Sequence, residues 1–254
     1  IASWNVNGLR NPIRKGVERL LAAIDPDVVR LQEIRVMPEQ LPAAWREPAD
    51  WHVAWHPAER PGYAGTAILS RHPITPLERG PGGEDPEGRV LLAKTAGVRV
   101  GSIYLPSGSS SPERQQVKDA WMPVFADWAE PLRRSRVPTI LGGDYNIARD
   151  ERDIFHWKSN RDTSGFLPHE RAWLASMIDG GWRDLVREHF GDRDGPYTWW
   201  SNRGQARALD RGWRIDHLLA NAAAAKRASD VSIDREAGLA ISDHAPVIVD
   251  LSVD

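Results

Sequence analysis

The 254-residue chain contains no cysteine. That excludes disulfides, cysteine-ligated zinc, iron–sulfur clusters and thiol catalysis. Any bound metal must be held by carboxylates, amides, histidine or backbone oxygens, which favours Mg²⁺, Mn²⁺ or Ca²⁺. Long apolar runs are also missing. The longest are pieces such as Val247-Ile248-Val249, far below the roughly 18–20 residues of a membrane span. The opening Ile1-Ala2-Ser3-Trp4-Asn5 lacks a basic segment followed by an apolar one, so no secretory signal is expected. A cytoplasmic location is favoured. An initiator Met is absent, which suggests that at least one residue was trimmed or left out.

Nor is there a charge excess: the formal net charge is −2. Nucleic-acid binding would need locally concentrated positive charge. Lysine is scarce, with five among the 33 basic residues; the rest are Arg, which offers phosphate a bidentate partner. Low-complexity segments, repeats and linkers are lacking, so residues 1–254 are read as one domain. The turn-rich stretch Gly80–Gly88 is too short to divide it.

Alternation and turn signals predict strands at Ala2–Asn7, Val28–Gln32, Trp51–His56, Gly65–Ser70, Arg89–Lys94, Arg99–Leu105, Thr139–Asp144, Tyr197–Trp200, Ile215–Ala220 and Ala245–Leu251. Helices are predicted at Ile13–Ile24, Pro112–Glu130, Pro168–Ile178 and Asp184–Phe190. Ser111 fits a helix N-cap, with Pro112 in the first turn. Val117, Ala120, Trp121, Val124 and Trp128 fall on one face of that helix and are expected to pack in the core. Several strands follow one another without helices between them. This predicts an α/β sandwich with much antiparallel sheet.

Six strand-like segments end in oxygen-bearing or titratable residues followed by a loop. They end in Asn5-Val6-Asn7-Gly8, Gln32-Glu33, Tyr104-Leu105-Pro106, Gly142-Gly143-Asp144-Tyr145-Asn146, Asp216-His217, and Ser242-Asp243-His244. Residues two apart share a face in extended backbone, so Asn5 with Asn7, and Asp144 with Asn146, can aim into one site. Converging on one rim, these ends would form a cluster of hard oxygen ligands around an acid–base pair.

Ser3–Arg10, Leu31–Glu33, Gly142–Ile147, Gly165–Arg171, Gly212–Asp216 and Ser242–Pro246 resemble, in order and over nearly the whole chain, the exonuclease III family of apurinic/apyrimidinic endonucleases. The resemblance implies a four-layer α/β sandwich, two packed mixed sheets flanked by helices (DNase I-like). It implies a Mg²⁺-dependent DNA-repair phosphodiesterase, with Mn²⁺ as a substitute ion. Glu33 matches the principal metal carboxylate and Asn7 a nearby metal or water ligand. Asp144 matches the residue that orients or deprotonates the attacking water, and Asn146 its phosphate-binding neighbour. His244 matches the histidine at the phosphate, Asp216 its carboxylate partner, Asp243 a group beside the metal, and Tyr104 an active-site tyrosine. The implied metal set is Asn7, Glu33, Asp144, Asn146, Asp243 and His244. Asn5, Trp199, Trp213 and Ile215 fall to the substrate, the last three lining a pocket for a deoxyribose without its base. Either Asp144 or His244 could be the base.

A phosphodiester is anionic, so in-line attack by water needs charge neutralisation and a positioned nucleophile. Duplex DNA with an abasic site or a blocked 3′ end is the expected partner, and a monomer is expected. Segments 1–19 and 202–214 each carry a local excess of three positive charges, suited to a phosphate backbone. Tyr104–Ser110, Glu113–Lys118 and Tyr197–Gln205 resemble a bacterial subgroup, some of whose members favour 3′-end processing over incision at abasic sites. That subgroup includes a non-catalytic nucleic-acid-binding regulator, but this chain keeps Glu33, Asp144, Asn146, Asp216, Asp243 and His244. A phosphatase acting on inositol phosphates or phospholipid headgroups is the nearest enzymatic alternative. Asp216 could instead pair with Arg214 or Arg211. Trp4, Trp45, Trp51, Trp55, Trp121, Trp128, Trp173 and Trp182 are read as core. His52, His56, His72, His156, His169 and His189 lack zinc-like spacing and are read as structural.

Overall fold

The computed structural model describes residues 1–252. Its strands form two six-stranded sheets. The first runs β11 (Ala228–Ile233), β12 (Val247–Leu251), β1 (Ala2–Asn5), β2 (Val28–Gln32), β4 (Thr66–Ser70) and β3 (His52–His56). The second runs β5 (Thr75–Arg79), β6 (Val90–Thr95), β7 (Val98–Tyr104), β8 (Thr139–Asp144), β10 (Asp216–Ala220) and β9 (Arg183–Asp184). Among the described residues, β1–β2 and β7–β8 are parallel and the other pairs antiparallel. This is the expected mixed-sheet, four-layer α/β sandwich.

Alternation along the strands assigns each side chain a layer. Val28 and Ile68 face the other sheet and meet Leu91, Ala93 and Val100. Val29, Leu31 and Leu69 face outward, against Leu9, α2 (Val17–Ile24) and Trp45 of α3 (Ala43–Arg46). On the opposite outer face, α4 (Pro112–Arg134) and α5 (Pro168–Asp179) cover Val90, Leu92, Ile103, Leu141 and Leu219. Between the sheets, near the functional end, the layer turns polar. Gln32 donates to Ser102 Oγ (2.9 Å), and Ser102 donates to the Leu31 carbonyl (2.8 Å). Arg30 is fully buried there and, among the described residues, has only the Gly101 and Ile140 carbonyls as acceptors (3.3 and 3.4 Å). Burial pulls its pKa down to about 10.

The structure corrects several sequence expectations. The helix expected over 13–24 is two, α1 (Arg10–Arg14) and α2, separated at Gly16, whose φ is +82°. The stripe expected to pack from α4 is one residue out of register. Val117 and Val124 are 41% and 50% exposed and Ala120 is exposed. The buried face is Lys118, Met122, Phe125, Ala129 and Leu132, with Trp121 and Trp128 flanking it. Both sets have 3–4 spacing. The true face includes a lysine, which an apolar count leaves out. Ser111 is the N-cap as expected, accepting from the Arg114 N–H at 3.3 Å. Residues 197–200 form no ladder strand; Trp199 makes single bridges to Trp213 and His244.

Candidate active site

Tyr104, Asp144 and Asp216 lie side by side across the second sheet, with Asp144 in register with both others. Each belongs to the inward-facing set of its strand, as the packing of Ile140 and Leu218 between the sheets requires. From the first sheet, Asn5 ends β1 beside Gln32, the last residue of β2. Asn5 Nδ2 donates to Asp144 Oδ2 at 2.9 Å, joining the two sheets. The chain then curls at strand ends. Asn7, Glu33 and Asn146 all take left-handed backbone (φ 47°, 56° and 51°), which swings their side chains over the gap. At Gly143 (φ 152°) a Cβ would meet the Ile103 carbonyl oxygen at 1.9 Å, so only glycine lets β8 approach β7 this closely beneath the site.

His244 precedes β12 in a tightly held turn. Trp4 Nε1 donates to its carbonyl (2.9 Å), and the Ser242 hydroxyl donates to the Asn5 carbonyl (2.9 Å). The His244 Nδ1 lies 2.9 Å from Asp216 Oδ2, leaving Nε2 3.9 Å from Asp144 Oδ2. Burial opposes a charged imidazole here, but the Asp216 carboxylate, with Asp144 and Asp243 adding to it, outweighs burial and raises the His244 pKa to about 10. Burial pushes Asp144 up to about 7, helped by Asp216 and opposed by His244. Tyr104 is pushed well above its ordinary range by burial and then by the Glu33 and Asp144 charges, so its O–H remains a donor. Arg89 lies over the Tyr104 ring at 4.8 Å.

These side chains line a cleft of about 490 Å³. Asn7, Glu33, Tyr104, Asp144, Asn146, Asp243 and His244 all face it, as do Trp199, Trp213 and Ile215. Asn5 and Asp216 do not; they are buried beneath and hold Asp144 and His244. Trp199 and Trp213 meet edge to face, 6.1 Å between centroids. Trp199 Nε1 also donates to Asp243 Oδ2 (3.1 Å), and Asn7 Nδ2 to Asp243 Oδ1 (2.9 Å). Burial alone would raise the Asp243 pKa; His244 and these two donors hold it low. Arg35 forms an ion pair with Glu33.

The donor set is one that hard divalent cations use. Asp144, Asp216 and His244 each place one ligand atom within 4.8 Å of the others and could hold a metal once His244 gives up its proton. Asp216 Oδ1 is buried without a partner, which fits a further electrophile nearby. Glu33, Asp243 and Asn7 add oxygens on the open side of the cleft.

The second basic segment is only partly available to a ligand. Arg214 is fully buried and pairs with Asp153 and Asp184 rather than Asp216 (2.7 and 2.9 Å). Asp216 is therefore left to His244. Arg203 and Arg211 are exposed, as are Arg10, Arg14, Lys15 and Arg19.

The sequence reading gave no role to one supporting pair. Lys118 of α4 and Glu170 of α5 are both fully buried and meet at 2.7 Å. Lys118 Nζ also donates to the Asn146 carbonyl (2.9 Å), while Glu170 Oε2 accepts from the Gly165 and Leu167 N–H groups (2.7 and 3.1 Å). At Gly165 (φ 93°) a Cβ would come within 2.9 Å of the Asn146 carbonyl oxygen. A lysine inside an otherwise apolar helix face was the available signal.

A two-sheet sandwich with a carboxylate–imidazole cluster at one end of the gap is the architecture the sequence led us to expect. The chain matches the Endonuclease/Exonuclease/phosphatase family over residues 2–244 and belongs to it. Within that family its similarity runs to exodeoxyribonucleases and AP endonucleases. It is 35% identical over 250 residues to an exodeoxyribonuclease of Bacillus subtilis, covering 97% of each chain. It is 32% identical to the DNA repair nuclease APEX1 of Danio rerio, covering all of this chain and 82% of that one. The 3′ phosphatase NExo (D146N) from Neisseria, bound to product DNA hairpin, superposes with a TM-score of 0.90 at 31% identity, covering 99% and 98% of the two chains.

Proposed function

We propose that this chain is a Mg²⁺-dependent DNA-repair phosphodiesterase that incises DNA at abasic sites and trims blocked 3′ ends. The observation that carries the reading is the His244–Asp216 pair facing Asp144 across an oxygen-lined cleft walled by Trp199, Trp213 and Ile215. A divalent cation held by Glu33, Asp243 and Asn7 would neutralise charge on the phosphate and leaving oxygens.

The chain's own residues divide the remaining work. Asp144, raised toward neutrality, takes a proton from the attacking water; a base poised near the operating pH serves best. Its carboxylate is aimed by Asn5 Nδ2 and the Asn146 N–H (2.9 and 2.8 Å). His244 already carries its proton, so it donates to a non-bridging phosphate oxygen rather than acting as base. The Asn146 amide and Tyr104 hydroxyl supply further donors where negative charge builds. Trp199, Trp213 and Ile215 offer an apolar slot that suits a sugar lacking its base.

The test is an assay panel on 3′-phosphate hairpins, abasic duplexes and inositol phosphates. The two DNA substrates are expected to be cleaved; turnover of inositol phosphates alone would refute the substrate class, and DNA binding without turnover under Mg²⁺ or Mn²⁺ would point to the regulator. EDTA is expected to abolish cleavage and added Mg²⁺ or Mn²⁺ to restore it. Full activity in EDTA removes the metal from the reading. Trp213→Ala is expected to lower kcat/KM for abasic-site incision about 5- to 150-fold, the scale of losing about 1–3 kcal/mol of ring contact. Removal of a 3′ phosphate should fall less; equal losses count against the sugar slot.

A further inference from the structure

A second groove of about 290 Å³ shares Trp213 with the active-site cleft. It is lined by Phe155, His156, Asn160, Arg203, Arg211 and Trp213, among others. Phe155 has no evident part in the fold. The residue is 46% exposed, yet its backbone is fixed: the Phe155 N–H donates to the Gly212 carbonyl (3.1 Å), and the preceding Ile154, fully buried, bridges Trp213. A rigid stem therefore holds an aromatic face toward solvent. Arg211 lies 5.7 Å from that ring and His156 meets it edge on at 4.7 Å. Alongside, Lys158 and Arg161 lie over the Trp157 ring (5.5 and 4.7 Å). Among the described residues, Lys158, Arg161, Arg203 and Arg211 have no carboxylate within ion-pair distance.

Unpaired cations select a polyanion, and a fixed exposed ring offers any base a stacking face. An apolar peptide would use the ring but leave four positive charges uncompensated. We propose that this groove is a second nucleotide subsite. In it an unpaired base of the strand leaving the cleft stacks on Phe155, and the adjoining phosphate pairs with Arg203 and Arg211. The inference rests on the reading of the cleft as a DNA site. Trp213, the shared wall, would set the direction in which the strand runs.

The probe is a DNA hairpin whose short unpaired tail carries 2-aminopurine at successive positions, compared with a blunt hairpin, both in EDTA so that no turnover occurs. Stacking quenches the fluorophore. Wild-type protein is expected to quench it at one tail position. Phe155→Ala should lose that quenching and weaken binding of the tailed hairpin by about 5- to 150-fold, with blunt-hairpin affinity within about twofold. Phe155→Trp should keep both properties. Substituting Arg203 and Arg211 together by Gln should lower the slope of log Kd against log salt by about one to two. Phe155 is exposed, so an unchanged Tm checks that the variants fold. Unchanged binding of the tailed hairpin by Phe155→Ala overturns the subsite, and so do equal losses on both hairpins. A wild-type protein that binds neither hairpin overturns the DNA reading and the subsite together; one that cleaves DNA normally while Phe155→Ala behaves identically overturns the subsite alone.

Discussion

His244→Ala is expected to lower kcat by at least about 100-fold while DNA binding persists. A positioned proton-transfer or charge-stabilising group contributes on the order of 10²–10⁴-fold. The loss should fall on kcat because the imidazolium acts where phosphate charge develops, and the basic surfaces that would hold DNA lie elsewhere. Normal turnover by the variant would remove His244 from the mechanism. Asp216→Asn is the sharper companion. The carboxylate at 2.9 Å is the foremost of the three that lift the His244 pKa to about 10 against burial. Without it, burial favours the neutral ring, and the alkaline limb of the kcat profile should move toward lower pH. The stability argument has the same origin. Folded His244 holds its proton more tightly than the unfolded chain, so its contribution is full below about pH 6.5 and is lost as pH rises toward 10. Asp144 acts in the same sense at lower pH, between its ordinary 3.8 and about 7. Tm measured in chelator should therefore fall from neutral to alkaline pH, and less steeply in Asp216→Asn. An identical slope in the two proteins would contradict the pairing.

Lys118→Met is expected to destabilise the protein by about 3–5 kcal/mol, because it strands Glu170 as a buried charge. For a chain of this size that corresponds to a Tm lower by roughly 6–20 °C. Burial pulls the Lys118 pKa below the ordinary lysine range against the opposing pull of Glu170, so the ammonium depends on its partner. Adding Glu170→Gln should recover part of the loss, since a neutral amide can still accept from the Gly165 and Leu167 N–H groups. Thermal melts of the two variants make the comparison. Equal melting temperatures for wild type and Lys118→Met would show the pair to be dispensable.

The residues legible in the sequence were those at strand ends. There a strand borders a polar loop, which follows Asn5, Glu33 and Asp144 but leads into the strand at Asp216 and His244, so these residues stood out from their neighbours. What stayed hidden depends on contacts across layers. Asn5 reads as a cleft residue, but its position at the end of a fully buried β1 sets it beneath Asp144. Arg214 reads as part of a basic segment, but Asp153 and Asp184 draw it inside. β5 and β11 are edge strands with largely exposed side chains, so neither has the apolar alternation that marked the central strands. The short α8 (Arg235–Ile241) is started by Asp234, which accepts from the Ala237 N–H. It then packs Gly238 and Ile241 inward over too few residues to establish a period.

The Asn5–Asp144 hydrogen bond ties the proposed base, on the second sheet, directly to the first. The base is thereby aimed from one half while His244 reaches it from that same half and Asp216 from the other. Reactivity is thus tuned by how the halves are seated, as in a lock whose tumblers belong to both plates. A slip of one plate by an ångström would misalign the nucleophile's base long before the fold itself gave way.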